Sequence, residues 1–390
     1  MSKISLLKPE IVQVISYYPP HLGGMENCAE QIAEGFVDKG YPVSVYTSNI
    51  GYSQNTVPDS KARVHYLKAL EFAHTPIIFT LFFRLLALPR HALIHIHISQ
   101  AFSPEVVYMI SKLKGIPYIT HIHLDVDPSG PFGFLLGTYK KLFLKRVLRS
   151  AAKIICLSEQ QKMLIAAKYT LPLEAIVVIP NGVAEKYFVA KEKCENTIPH
   201  LLFVGRLAPQ KNLSLLIAAV AQMQTSVFLD IVGEGEERES IEALIQKYRL
   251  QNVKLHGKKI GEELIEIYKS ADIFVLPSLK EGISLSMLEA LAAGLPVVAS
   301  DAPEIRQILG ECGVLIQDPT IVNYARALDE LAINKDELHR LSDLSVKKAH
   351  SYSWGSVLNS IEDVYKQITA LDTPSSGSEV RSKAHSLSSR

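Results

Sequence analysis

At 390 residues, with Lys plus Arg at 41 against 40 for Asp plus Glu, the chain is long enough for two domains and has no charge excess suited to nucleic acid. Its hydrophobic content of 47% is ordinary for a soluble protein. The four cysteines, Cys28, Cys156, Cys194 and Cys312, show neither Cys-x-x-Cys spacing nor neighbouring histidine clusters, so neither a zinc site nor a disulfide framework is expected and a reducing cytoplasm is the simplest setting.

The opening Met1-Ser-Lys-Ile-Ser-Leu-Leu-Lys-Pro reads as too short and polar for a signal peptide. A first strand is expected over 10–16. A loop, Tyr17-Tyr-Pro-Pro-His-Leu-Gly23-Gly24-Met-Glu26, follows it, and then an amphipathic helix over about 27–39 that stops at Gly40. Strand, Gly-containing loop and helix in series present backbone amides to a ligand at the carboxyl end of a sheet. Further strands are expected at 43–47, 64–66, 93–98, 118–122, 154–157 and 177–179. The apolar run 77–88 covers only about a dozen residues and contains Arg84, against the ~20 that a membrane span needs, so it reads as a core helix.

After the polar connector Lys191-Glu-Lys-Cys-Glu-Asn-Thr-Ile-Pro199 a second alternation begins. Its strands are expected at 200–204, 227–232, 253–256, 273–276 and 296–299, with helices at about 212–224, 236–248, 262–270 and 284–293. Strands alternating with helices imply parallel, doubly wound sheets, and two in series make two Rossmann-like domains with a cleft between them. The expected division is 1–193 for the first Rossmann-like domain and 194–352 for the second. A last helix is expected over 353–372, and the Ser-rich 373–390 is expected to be disordered.

The stretch from Pro277 to Asp301 carries the strongest chemical signal. Ser284 is a plausible N-cap, Leu285, Leu288 and Ala292 recur at helical spacing, and Gly294 suits a left-handed cap. The helix is almost wholly apolar, yet Glu289 sits inside it, and a buried carboxylate needs a partner from elsewhere in the fold or from a polyhydroxylated ligand. Glu281 precedes the helix, and the amides of Gly282, Ile283, Ser284 and Leu285 are expected to face an approaching anion. Two carboxylates for hydroxyls and an amide nest for phosphate suit a nucleotide sugar.

Gly205-Arg206-Leu-Ala-Pro-Gln-Lys211-Asn212 follows a strand directly, so its paired cations fall at the carboxyl end of the sheet and suit a diphosphate. In Gly115-Ile-Pro-Tyr-Ile-Thr-His121-Ile-His123-Leu-Asp125, the two histidines are read as facing opposite sides of the strand end. His95 and His97 likewise alternate along a strand. Gly233-Glu-Gly235 invites a dinucleotide reading but lacks a third glycine and is followed by acidic residues, so a nicotinamide site is rejected. Lys140 to Arg149 reads as a basic amphipathic helix, either a solvated face or a contact with anionic membranes.

Glu281-Gly-Ile-Ser-Leu-Ser-Met-Leu-Glu289-Ala, with Gly294-Leu-Pro-Val-Val-Ala-Ser after it, resembles the Glu-x7-Glu signature of retaining glycosyltransferases of family 4, which have the two-domain GT-B fold. Gly205-Arg206 to Lys211-Asn212 resembles the same family's Gly-Arg-x-x-x-x-Lys-Asn motif. The chain departs from the family pattern at Ile283, usually Phe, and Ser284, usually Gly. The resemblance, which covers nearly all of 10–370, implies roles for these residues. Glu289 would hold ribose hydroxyls and Glu281 sugar hydroxyls. The Ile283 and Ser284 amides would hold phosphate, and Arg206 and Lys211 the donor diphosphate. Gly257 would border the nucleobase, Gly24 would supply an amide near the diphosphate, and His123 would line the cleft near the donor sugar. His97 resembles the family's strand-end His, with a structural role equally open.

Tyr17 and Asp125 fall in the first-domain loops expected to read the acceptor, although Asp125 with Asp127 also fits an ordinary acidic loop. The implied activity is transfer of a hexose or N-acetylhexosamine from a nucleoside diphosphate, UDP being expected, to a hydroxyl, with no metal or other cofactor and no nucleic-acid partner. The product would serve glycoside, glycolipid or natural-product biosynthesis, from a cytoplasmic site with 140–149 as a peripheral membrane contact. The rivals are a nucleotide-sugar epimerase or phosphorylase on the same fold, and a sugar-nucleotide-binding subunit without catalysis.

Overall fold

A computed structural model of the chain describes residues 8–21, 23–52, 60–72, 75–98, 101–123, 143–189, 197–279 and 283–371. The first domain runs β1 (Ile11–Val14), α1 (Gly24–Asp38), β2 (Val43–Ser48), β3 (Arg63–Leu67), β4 (Leu70–Phe72), β5 (Thr75–Ile77), α2 (Leu81–Leu86), β6 (Leu93–Ile98), α3 (Ser103–Lys114), β7 (Tyr118–Ile122), α4 (Lys145–Ser150), β8 (Lys153–Cys156), α5 (Glu159–Tyr169) and β9 (Ile176–Val178). The second runs β10 (His200–Val204), α6 (Leu213–Val220), β11 (Phe228–Val232), α7 (Arg238–Lys247), β12 (Val253–Gly257), α8 (Gly261–Ser270), β13 (Ile273–Leu276), α9 (Leu285–Ala292), β14 (Val297–Ser300), α10 (Pro303–Leu309), β15 (Gly313–Ile316), α11 (Ile321–Ile333) and α12 (Lys335–His350). The last helix is α13 (Trp354–Leu371).

The strands form two parallel sheets whose central strands β1, β6, β10, β13 and β14 are buried almost throughout and need helices on both sides. Their orders are β3-β2-β1-β6-β7-β8-β9 and β12-β11-β10-β13-β14-β15. In each sheet the order reverses beside the first strand, between β1 and β6 and between β10 and β13, and a crevice opens at the carboxyl end of such a reversal. The loops after β1, β10 and β13 all leave from these two points.

One face of the first sheet packs Ile11, Val45, Leu93 and Ile119 against α1 and α13, the latter through Val357, Ile361 and Tyr365. The other face is covered by α2, α3, α4 and α5. Val183 and Tyr187, ahead of the connector expected to divide the domains at 193, already pack into the second domain's core. The chain crosses between the domains twice, and the crossings are pinned together. The Val183 amide donates to the Tyr352 carbonyl at 2.8 Å, and the Trp354 amide to the Val183 carbonyl at 3.2 Å.

Three sequence expectations need correction. The run 77–88 is not one core helix: 75–77 pairs with 70–72 as an antiparallel hairpin, and α2 buries Leu81 and Leu85 while Phe79 and Phe83 are exposed. β15 was not anticipated. His121 and His123 do not face apart, since residues two apart on an extended chain share a face; their rings stack at 4.3 Å between centroids. The 373–390 tail and residues 140–142 lie outside the described residues.

Candidate functional site

The second domain's half of the site is assembled by glycines. The loops after β10, β11 and β12 approach so closely that a Cβ at Gly233 would sit 1.8 Å from the Gly205 carbonyl oxygen, and one at Gly235 2.2 Å from that of Leu207. The Gly233 amide donates to the Gly257 carbonyl at 2.9 Å, and the Leu207 amide to the Glu234 carbonyl at 3.0 Å. Gly233-Glu-Gly235 therefore exists for backbone packing, a physical reason to set the dinucleotide reading aside. Gly257, at φ +70°, closes the same stack.

Arg206 leaves this stack largely exposed and is held by Glu236, with Nη2 to Oε2 at 3.0 Å. Lys211 ends a 3-10 turn over Pro209–Lys211, and Asn212, at φ 53°, starts α6 from the left-handed region. The loop after β13 is stitched to this turn by the Leu279 amide, which donates to the Gln210 carbonyl at 2.9 Å. Arg206, Lys211 and the approach to α9 thus share the carboxyl edge at the β10/β13 reversal. Glu281 and Gly282 lie outside the described residues, between Leu279 and Ile283.

Ser284 caps α9 as expected, its hydroxyl accepting from the Met287 amide at 3.4 Å. Glu289, one turn further, receives a hydrogen bond from the buried Tyr268 hydroxyl at 2.8 Å, and Tyr187 is its second phenol partner. Burial raises the Glu289 carboxyl above its ordinary range while the two phenols and Lys186 oppose that shift. The partners demanded by the sequence are two tyrosines lying far from Glu289 along the chain, for which no local signal exists.

From the first domain, the N-terminus of α1 arrives opposite that of α9. Gly23 caps α1 with no side chain, and a Cβ on Gly24 would lie 3.7 Å from Leu285 Cδ1 across the domain gap. Glu26 folds back over Gly23 and pairs with His21, 3.1 Å from its Nδ1. Tyr17 stacks on His21 at 4.7 Å, and its hydroxyl donates to Glu71 at 3.2 Å. Tyr17 is thus anchored at the same strand end as Gly24. Asp125 and Asp127 lie outside the described residues.

His123 follows β7 and ends a stack of four imidazoles. His97 Nδ1 is 2.9 Å from His123 Nε2, and His95 Nε2 is 3.2 Å from His121 Nδ1, while His95 Nδ1 reaches the Tyr365 hydroxyl of α13 at 2.6 Å. Gln13 Oε1 lies 3.2 Å from His97 Nε2; the Gln13 amide is assigned in the swapped orientation, which satisfies both of its ends, with its nitrogen donating to the Ala29 carbonyl at 3.1 Å and to His97 Nε2 at 3.2 Å and its oxygen accepting from the Ala33 amide at 3.0 Å. His97 must then carry its proton on Nδ1 and donate it to His123 Nε2, which places the His123 proton on Nδ1. Burial lowers His95 and His123 to about 3 and His97 and His121 well below the usual value, so all four are neutral. The expectation that no cysteine neighbours a histidine cluster is corrected as well: Cys28, His121 and His123 bring ligand-type atoms within 4.8 Å of one another.

Two parallel sheets whose reversal points face each other across a gap make the GT-B architecture. The chain matches the family model Glycosyltransferase Family 4 over residues 22–186 and Glycosyl transferases group 1 over residues 187–347, and it belongs to this glycosyltransferase family. An uncharacterized glycosyltransferase of Methanocaldococcus jannaschii is 25% identical over 92% of this chain and 98% of its own. UDP-Gal:alpha-D-GlcNAc-diphosphoundecaprenol alpha-1,3-galactosyltransferase of Escherichia coli is 32% identical over 56% of this chain and 60% of its own. Among solved structures, sucrose-phosphate synthase from Thermosynechococcus elongatus superposes with a TM-score of 0.72 at 22% identity over 93% of this chain and 100% of its own. HepE of Anabaena, in complex with UDP, gives 0.73 at 18% over 92% and 100%.

Proposed function

We propose that this glycosyltransferase moves a hexose or N-acetylhexosamine from a UDP sugar to an acceptor hydroxyl with retention of anomeric configuration and without a metal ion. The observation that carries the reading is the meeting of two helix N-termini, Gly24 of α1 and Leu285 of α9, beside the loop bearing Arg206 and Lys211. Helix N-termini and paired cations are the protein's means of holding a diphosphate and stabilising it as it departs. The UDP-Gal in the name of the Escherichia coli relative supports the donor class.

In this reading Glu289 binds ribose hydroxyls and Glu281 the sugar. The amides of Gly282, Ile283 and Ser284 hold phosphate oxygens, Gly257 borders the base, and the His123 Nδ1 proton serves a sugar hydroxyl. The bond from the anomeric carbon to the phosphate oxygen breaks as the acceptor oxygen attacks the same face, and the acceptor's proton passes to the leaving phosphate. Tyr17 and Asp125 are assigned to the acceptor, and the basic run 140–149 to a peripheral contact with anionic lipid from the cytoplasmic side.

The test is a thermal-shift panel of UDP, GDP, ADP and dTDP sugars, in which a ligand at ~100 times its Kd adds about 2.7 kcal/mol. UDP sugars alone should raise the melting temperature, and Glu289→Ala and Lys211→Ala should each remove that shift. No shift with any nucleotide sugar on folded protein, or an intact shift in both variants, overturns the assignment.

A further inference from the structure

A thiol and two imidazoles converge where α1 covers the carboxyl end of β7. Cys28 faces inward from α1, His121 lies within β7, and His123 follows just past its end. One ligand-type atom from each lies within 4.8 Å of the others. Cys28 and His121 are buried, and His123 is half-buried.

A cysteine on the inner face of a helix is ordinarily a small core side chain. What sets Cys28 apart is the nitrogen beside it. His121 Nδ1 is engaged by His95 Nε2 at 3.2 Å, whereas its buried Nε2 has no hydrogen-bond partner among the described residues. A buried polar atom left in that state is costly and marks a place where something is to be bound. His95, His97 and His121 meet the same distance limit, but they are a poorer set. Both nitrogens of His95 and both of His97 are already engaged, with Tyr365, His121, His123 and Gln13.

We propose that Cys28, His121 and His123 bind one zinc ion, and that this ion opposes sugar transfer by taking His123. One thiolate with two imidazoles suits zinc rather than the hard cations that seek oxygen, and three protein ligands leave a fourth tetrahedral position for water. His123 is the least buried of the three, so the open position lies on its side.

Burial holds the Cys28 thiol protonated, so the zinc–sulfur bond forms as that proton leaves to water. His121 gives its Nε2 lone pair while its own proton stands on Nδ1 toward His95. His123 Nε2 faces His97 at 2.9 Å, so its ligating atom is Nδ1. That requires the other tautomer. His123 Nε2 then donates to His97 Nδ1, and His97 donates from Nε2 to Gln13 Oε1, 3.2 Å away in the other orientation of the amide. One proton is released per zinc, and the Nδ1 proton assigned to a sugar hydroxyl is withdrawn. The effect on transfer therefore rests on the role given to His123 above, and the binding of zinc does not.

The test begins with the full chain, metal-free and without nucleotide sugar, titrated with Co2+ and, against a chromophoric chelator, with Zn2+. The wild type should take up one ion, and its cobalt form should show a thiolate-to-metal charge-transfer band. Cys28→Ala should abolish the band, and Cys28→Ala and His121→Phe should each weaken zinc binding at least about tenfold. No uptake by the wild type, a cobalt form without the band, or a band that survives in Cys28→Ala overturns the site. The wild-type spectrum decides even if a variant does not fold. Calorimetry then compares UDP with a UDP sugar. Zinc should weaken the UDP sugar about fivefold and leave UDP unchanged, and Cys28→Ala should show no such effect. Zinc bound with an unchanged UDP-sugar affinity overturns the opposition to transfer and leaves the site standing. If the metal-free protein binds no UDP sugar, the opposition falls with the donor reading, while the cobalt and zinc titrations judge the site by themselves.

Discussion

Glu289 meets its hydrogen-bonding needs within the protein before any ligand arrives, and this arrangement makes its behaviour predictable. Burial favours the protonated carboxyl, and the Tyr268 hydroxyl pulls the other way by donating to the charged form. Tyr268→Phe removes one of the opposing influences, so the carboxyl should protonate at higher pH than in the wild type. A protonated Glu289 is a weaker acceptor for ribose hydroxyls. UDP titrations by calorimetry should therefore show similar affinity near neutral pH but an earlier loss on acidification in the variant. Coincident pH profiles would remove Glu289 from donor binding.

The four stacked imidazoles give a second prediction with a definite sign. Their folded values lie below 6.5, His95 at about 3, so the native state holds them neutral while the unfolded chain takes up protons below 6.5. Stability from this source is fully present above 6.5 and lost as pH falls. Each fully buried imidazole can cost up to about 1.4 kcal/mol per pH unit. Urea midpoints should drop steeply between about pH 6.5 and about pH 5. Replacing His121, whose Nε2 has no hydrogen-bond partner among the described residues, with Phe should flatten that slope, and an unchanged slope would show that the stack does not govern acid stability.

At the scale of elements, the loop stack after β10, β11 and β12 is the least tolerant part of the donor half. Gly235→Ala would push a methyl group into the Leu207 backbone, 2.2 Å from its oxygen and 2.6 Å from its carbonyl carbon, with no flexible side chain to yield. Overpacking of this kind costs about 1–3 kcal/mol, and here it displaces the residue next to Arg206. The variant should melt lower and bind UDP more weakly, and a wild-type melting curve would show that the stack relaxes freely. Strands beneath the donor half were legible in the sequence: β10 and β13 fall where their apolar runs lie, because a strand buried on both faces is a continuous apolar run. The β4–β5 hairpin was not, since Glu71 and Pro76 interrupt its pattern and the adjacent run 77–88 imitates a core helix. The site was legible where one segment carries it, as at Ser284 and the Arg206–Lys211 loop. It was not legible where partners come from distant segments, as with Tyr187 and Tyr268 on Glu289, Glu236 on Arg206, or Gln13 on His97.

For the whole molecule, the decisive feature is that two domains joined by two pinned crossings bring α1 and α9 end to end. If the second domain holds UDP, diphosphate included, and the α1 amides engage the diphosphate only as it departs, transfer requires the gap at Gly24 to stay narrow, and UDP binding does not. A Cβ at Gly24 would make only ordinary contact, 3.7 Å from Leu285, so Gly24→Ala should remain close to wild type. Gly24→Val places two further methyl groups in the gap and should hold the domains apart. Calorimetry should then return a UDP affinity within about twofold of wild type, while kcat/KM for transfer falls by at least about tenfold. Equal loss of both would mean that the first domain already binds the nucleotide in the ground state. Retention of both would mean that the helix ends do not have to meet, and the diphosphate would then rest on Arg206, Lys211 and the α9 amides alone.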